Sequence, residues 1–374
     1  MNRRRFLLGS GTGAALFLAS PLASAQSSRP WVIGQSVDLS GPTQNLGRDY
    51  FTGAKLCFDQ VNRAGGIQGR NLKLIQRDDG GLPQRSLDNL ASLLGQDGAD
   101  VLFGFTGDAC VDAVTKSALF KQSERVLFAP MSGAGDASEQ ARVRYLRATY
   151  GEEVAAILAT FRGAGLKSFA IAHASTATGR NARDAALALA KTRGIVATTV
   201  PLSGDAARLD KEAEAVLKLQ PQAVVILADT IPTALLARAL RARDPGLFVC
   251  ATSGVDQNSL REVMGPAVAA GIVLSRVVPD PVRSTAPAVR EFVRAFATNY
   301  DETPTPANLE GYLAARVLVE GLRRAGPSAG SGRLAGSLQE VSTSPLAESV
   351  SSTLAASKRY VDTSVITRSG AVAS

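Results

Sequence analysis

"LSGPTQNLGRDYFTGAKLCFDQVNRAGGIQGRNLKLIQRDDG", Leu39–Gly80, decides the fold class. Phe51, Ala54, Phe58 and Val61 recur at helical spacing, so one face of this segment turns inward. Ala64-Gly65-Gly66 stops the helix, because a glycine pair supplies the positive φ that closes a last turn and releases the chain. "LKLIQRD" from Leu72 then alternates as a strand, and upstream "WVIGQSV" from Trp31 is a short apolar run of strand length. Asp78 and Asp79 are adjacent on a strand and point to opposite faces, so they make no acid/base dyad. The pair reads instead as a loop-fixing and helix-capping device.

The alternation continues outward. Helices are expected near Gln84–Gly95, over Cys110–Gln122, from Glu152, through Ala182–Thr192, over Ala207–Leu219 and from Pro232. Between them lie strands at Asp100–Phe105, Val126–Ala129, "SFAIA" from Ser168, near Ile195, "AVVILA" from Ala223 and "LFVCA" from Leu247. The tail adds "GIVLSRVV" from Gly271, helices over Ala286–Asn299 and Ala307–Arg324, a glycine-rich segment at Gly326–Gly336 and a late strand "KRYVDTSVI". Alternating elements with short loops predict α/β architecture with doubly wound, mostly parallel sheets. Two such series in 374 residues predict two lobes. The expected extents are residues 31–147 with about 278–343 for one lobe, and 148–277 with about 344–374 for the other. Crossings near Arg147, Val277 and Ser344 would form a hinge. Ligands of open α/β sheets bind outside the carboxyl ends of strands, so the loops after Asp38, Phe105, Ala129, Ala172, Ala228 and Ala251 carry the interest.

Composition is that of an ordinary globular chain, 45% hydrophobic and 20% charged, with a net charge of +8. Arg3, Arg4 and Arg5 belong to an N-terminal segment without acids; its removal leaves 38 basic against 33 acidic residues, +5. No basic run with interleaved aromatics accompanies this excess, which argues against nucleic acid as a partner. Residues 1–25 read as an export signal: a basic start, a short apolar stretch and Ala23-Ser24-Ala25 before Gln26. "RRRFLL" resembles the twin-arginine signal, while general secretion stays open. No cysteine follows for a lipid anchor, so the chain is expected free in the periplasm, cleaved near Ala25, as a monomer not inserted in the membrane. A GxGxxA run at Gly9–Ala14 lies inside this signal with no strand before it and is no dinucleotide site.

Catalytic constellations are missing from the pattern. His173 is the one histidine, no G-x-S-x-G elbow precedes a helix, and a histidine-based metal site has no second ligand. No cofactor, metal or catalytic residue is expected. His173 sits at a strand end, where it either touches ligand or holds a loop. Cys57, Cys110 and Cys250 match no zinc or redox spacing and read as buried apolar residues, one disulfide remaining open.

The quoted stretch resembles the start of the leucine/isoleucine/valine-type (type I) periplasmic solute-binding proteins of ABC transporters. The likeness rests on Leu39–Pro42, Gly47, Gly53-Ala54, Asn62, Gly65-Gly66-Ile67, Gly69-Arg70 and Asp78-Asp79. It continues through "DVLFGFTGDA", "LFAPMSGA", "YLRATYGEE" and "EGYLAARVLVEGL". It implies a two-lobe Venus-flytrap fold that closes on a small solute, an amino acid, amide or related metabolite, and presents it to an ABC permease. A periplasmic sensor presenting ligand to a membrane receptor and an α/β enzyme are the alternatives. By matching motifs, Leu46, Thr106, Gly107, Asp108, Ala109, Ser132, Gly133 and Ala134 would line the cleft from one lobe. Tyr150, Thr178, Asp229 and Ser253 would face it from the other, with Tyr312 closing it from the tail. Two positions depart from the amino-acid binders of that family. Asp108 stands where they place a carboxylate-gripping serine, and Ser253 where they place a glutamate for the ammonium group. A polar, neutral or cationic molecule is therefore expected rather than a plain branched-chain amino acid.

Overall fold

Every residue of Trp31–Val37 is buried, which is what a strand covered on both faces requires. This strand, β1, centres the first sheet of a computed structural model that describes residues 29–135, 142–342, 359–368 and 372–373. The export segment and the expected crossing near Ser344 lie outside the described residues. Beside β1 run β2 (Leu72–Asp78), β3 (Val101–Phe103), β4 (Leu127–Phe128) and β5 (Val143–Arg144), in the order β2-β1-β3-β4-β5 and all parallel. The second sheet holds β6 (Ser168–Ala174), β7 (Val196–Leu202), β8 (Ala223–Leu227), β9 (Phe248–Ala251), β10 (Val273–Arg276), β11 (Asp362–Ile366) and β12 (Val372–Ala373). Its order is β12-β11-β10-β9-β8-β6-β7. Reading β7-β6-β8-β9-β10 repeats the order of the first sheet, so the two halves are wound alike. Among the described residues only the late strands differ: β11 pairs antiparallel with β10, and β12 with β11.

The helices are α1 (Gln44–Arg63), α2 (Pro83–Gly95), α3 (Asp108–Lys116), α4 (Ala118–Ser123), α5 (Tyr150–Gly163), α6 (Ala177–Thr192) and α7 (Leu209–Lys218). They continue with α8 (Thr230–Arg243), α9 (Gln257–Met264), α10 (Pro266–Ala269), α11 (Pro287–Asn299), α12 (Pro306–Ala325) and α13 (Ser331–Ser342). The tail helices pack on the first sheet: Phe292, Phe296, Tyr312 and Leu318 share a core with Trp31, Phe58, Phe103 and Phe128. The second sheet has a core on each face, one around Val224, Leu236 and Leu260, the other around Ile157, Phe169 and Val225.

α1 and α12 touch backbone to backbone. A Cβ on Gly53 would lie 1.8 Å from the Asn308 carbonyl oxygen, and one on Gly311 would lie 2.0 Å from that of Tyr50. Glycine at both positions is therefore a packing requirement. Asn62 carries the chain out of α1 by pairing with Leu72: its Nδ2 donates to the Leu72 carbonyl at 2.9 Å and its Oδ1 accepts the Leu72 N–H at 2.7 Å.

Several expectations change on contact with the structure. The helix expected over Cys110–Gln122 is two helices, because Ser117 leaves the helical conformation and caps α4 with its side chain. The glycine-rich Gly326–Gly336 enters α13, and β5 and α9 were not anticipated. The acidic pair does fix its loop. Asp78 accepts from the Leu39 and Gly80 N–H groups and the Ser40 hydroxyl, while Asp79 accepts from the Ser36 and Ser86 hydroxyls and the Gly81 N–H. It does not cap α2, whose N-cap is Leu82 with no side-chain bond. Cys57, Cys110 and Cys250 are all buried and unpaired.

Candidate functional site

In a 2-1-3-4-5 sheet the crevice opens where the strand order reverses, between the first and third strands. Here both sheets have such a switch point, and the two face each other. The loops after β1 and β3 and those after β6, β8 and β9 line a cavity of 120 Å³ that includes Asp38, Gly107, Asp108, Tyr150, Thr176 and Asp229. A larger cavity of 340 Å³ also lies between the lobes. Leu46, Met131, Thr305 and Glu310 come to it from the first lobe, and Ser253, Asp256 and Asn258 from the second. The stretch Leu274–Val278, where the chain leaves β10, forms its remaining wall.

Asp108 stands at the meeting of the lobes. Gly107 precedes it at φ 82°, a left-handed conformation that glycine adopts without strain, and turns the chain sharply into α3. The carboxylate then accepts the Ser132 hydroxyl at 2.6 Å on one oxygen and the Tyr150 hydroxyl at 2.6 Å on the other. Tyr150 opens α5, so this bond joins one lobe to the other. Its ring lies over Gly133, where a Cβ would stand 2.8 Å from the ring, and its N–H donates to the Gly133 carbonyl at 2.9 Å. Burial pushes the Asp108 carboxyl above its ordinary value; the two hydroxyls and the Arg147 charge act in the opposite direction.

Behind this pair lies a buried ionic cluster. Arg147 donates to the Ser253 hydroxyl and stands 3.7 Å from the Glu310 carboxylate. Glu153, with 0% exposure, accepts the Ser253 N–H at 2.8 Å and the Ser275 hydroxyl on one oxygen. Its charge and that of Glu310 hold the Arg147 guanidinium protonated against the cost of burial. Farther out, Asn45 of α1 donates to the Ser259 hydroxyl of α9 at 2.9 Å, a further direct bond between the lobes.

The profile of the family described as "Periplasmic binding protein" matches residues 30–355. The chain belongs to that family. A substrate-binding periplasmic protein from Ralstonia solanacearum is similar to this binding protein with a TM-score of 0.81 and 25% identity, covering 91% of this chain and 99% of that one. The leucine binding protein LivK from Thermotoga maritima shares the fold, with a TM-score of 0.79 and 16% identity over 91% and 96% of the two chains. An amino acid binding protein of Pseudomonas aeruginosa is 33% identical over 73 residues, a stretch that spans 20% of this chain and 20% of that protein.

The anticipated cleft residues of this binding protein divide into three groups. Gly107, Asp108, Ala109, Tyr150 and Asp229 line the smaller cavity, and Leu46 and Ser253 the larger. Thr106, Ser132, Gly133 and Ala134 serve the wall itself. The Thr106 hydroxyl accepts the Asp38 N–H at 3.1 Å, and the Ser132 hydroxyl accepts the Ala134 N–H at 3.2 Å while donating to Asp108. Tyr312 is elsewhere. It is 1% exposed on α12, its ring tilted against that of Phe292 and its hydroxyl donating to Gln60 at 3.0 Å, because that face of the helix turns to the core. The Thr178 side chain lies outside the described residues. His173 is buried, its Nδ1 3.0 Å from the Ala174 carbonyl oxygen, and holds a strand end. Arg147, Glu153 and Glu310 were not singled out, although all three lie inside the "YLRATYGEE" and "EGYLAARVLVEGL" motifs.

Proposed function

We propose that this protein captures a small polar molecule, neutral or cationic, between its two lobes and delivers it to an ABC permease. The observation that carries the ligand class is the Asp108 carboxylate, held by Ser132 and Tyr150 in the first turn of α3. Helix N-termini and hydroxyl donors attract anions, and here the protein's own carboxylate takes those donors. A ligand carboxylate arriving at the same place would meet a buried acid instead of a free hydroxyl. The Asp108→Ser variant is expected to gain response to carboxylate ligands while keeping its fold. Thermal-shift profiles of both forms across amino acids, amides, polyols and aromatic acids test this, and identical profiles would refute the role. Native mass spectrometry of freshly purified protein identifies any solute that travels with it, and turnover of that solute would contradict a pure carrier.

The same reading places the mature protein in the periplasm as a monomer, beginning near Gln26 after cleavage at Ala25. N-terminal sequencing of the exported form and its mass in solution check both points. The lobe extents proposed are residues 31–147 with about 278–343 and residues 148–277 with about 344–374. Two observations support them: the tail helices pack on the first sheet, and β11 pairs with β10.

A further inference from the structure

The larger interlobe cavity has a charge imbalance at its floor. Glu310 lines it from α12, its side chain 13% exposed, and its one ionic partner among the described residues is Arg147 at 3.7 Å, longer than a hydrogen bond. Arg147 is also in the field of Glu153, whose second oxygen is buried with no hydrogen-bond partner among the described residues. The Glu153 oxygen that is satisfied holds Ser253 and Ser275, both of which line the cavity. One guanidinium therefore serves two buried carboxylates directly beneath the cavity, with Asp108 as a third acid close by.

The walls do not restore the balance. Arg276 is occupied by Asp280 at 2.7 Å and Asp256 adds another acid as it caps α9; Arg283 also lines the cavity but is exposed, where water screens its charge. An uncompensated carboxylate in a low-dielectric site calls for a proton or a cation. Burial does push the Glu310 carboxyl above its ordinary value, with the Arg147 charge opposing and Glu153 adding to the rise. The 340 Å³ cavity that Glu310 lines has room for the organic body of a cation, not only for a proton.

We propose that Glu310 seats a cationic nitrogen of the ligand, with Glu153 supporting it through Ser253 and Ser275, so that the solute is a small organic cation. This rests on the reading that the lobes enclose a small solute, and it selects the cationic branch of it. The apolar surfaces of Leu46, Met131 and Leu274 would cover the carbon skeleton.

Two measurements on the full chain test it. Solute released from the purified protein is identified by mass spectrometry, and Kd values for n-pentylamine, pentanamide and pentanoate at pH 7 are compared between wild type and Glu310→Gln. The expected results are a released solute with a basic nitrogen, preference for the amine, and a ten- to hundredfold weaker amine Kd in Glu310→Gln, roughly the loss of one charge-assisted bond. Glu310→Asp, which keeps the charge, should retain part of the amine binding and guards against a variant that fails for lack of folding. A released solute without a cationic group, preference for pentanoate or pentanamide, or an amine Kd unchanged in Glu310→Gln overturns the assignment and leaves the carrier reading intact. Absence of any released solute together with no binding of all three probes overturns the carrier reading, and this assignment with it.

Discussion

Asp49 sits half-buried on α1 and accepts the Thr305 hydroxyl at 2.7 Å. Burial raises its carboxyl from 3.8 to about 6, opposed by that bond and by Arg48, with Asp256 and Glu302 adding to the rise. The native state therefore binds this proton more tightly than the unfolded chain. The stability it contributes is complete below about pH 4 and is lost as pH rises through about 6. Asp49→Asn should match wild type near pH 4 and gain on it by roughly 2–3 kcal/mol at pH 7.5. Chemical denaturation at the two pH values checks this, and a constant difference between the proteins would rule it out. The residues with unusual chemistry were unequally legible. Asp108 and Ser253 could be read because they break a family pattern. Glu153 and Glu310 could not, because an acid on an amphipathic helix reads as a solvated face until the opposing lobe is seen to cover it.

Among the elements, α1 and α12 cross with their backbones in direct contact at Gly53 and Gly311. Gly311→Ala should cost roughly 3 kcal/mol, since the new methyl group meets a backbone carbonyl that only a shift of the helices can clear. Gly163→Ala, at the end of α5 with open space around it, is the control and should be neutral or slightly stabilising. A calorimetric comparison in which both variants melt alike would remove the argument. Element order was legible almost throughout, since apolar periodicity reports which faces a helix or strand buries. Ends and interruptions were less so. α13 hides behind Gly330, Gly332 and Gly336, whose composition reads as loop, yet Leu334, Leu338 and Val341 bury into the core beneath it. β5 escapes notice because two residues are too few to show a period.

At the scale of the molecule, the lobes meet through Tyr150–Asp108, Arg147–Ser253 and Asn45–Ser259. The last lies outside the ionic cluster and both cavities, so it biases closure without gripping the solute. Asn45→Ala should remove about 1 kcal/mol from the closed arrangement and weaken solute binding by about fivefold, chiefly through faster release. Stopped-flow dissociation measures it, and an unchanged release rate would show that the bond does not contribute to closure. The two-lobe plan was legible from the twice-repeated strand and helix alternation; which surfaces touch was not, because contact between distant segments leaves no local period. The three cysteines have a last consequence, in the timing of maturation. Burial raises the thiols of Cys57 and Cys110 to about 12 and that of Cys250 higher still, so the finished protein offers almost no thiolate to an oxidant. The unfolded chain offers three, and any pair of them joined would bar the native core. Oxidation of its cysteines is thus a hazard of the nascent chain rather than of the folded protein, and its yield in an oxidising compartment depends on folding outrunning disulfide formation.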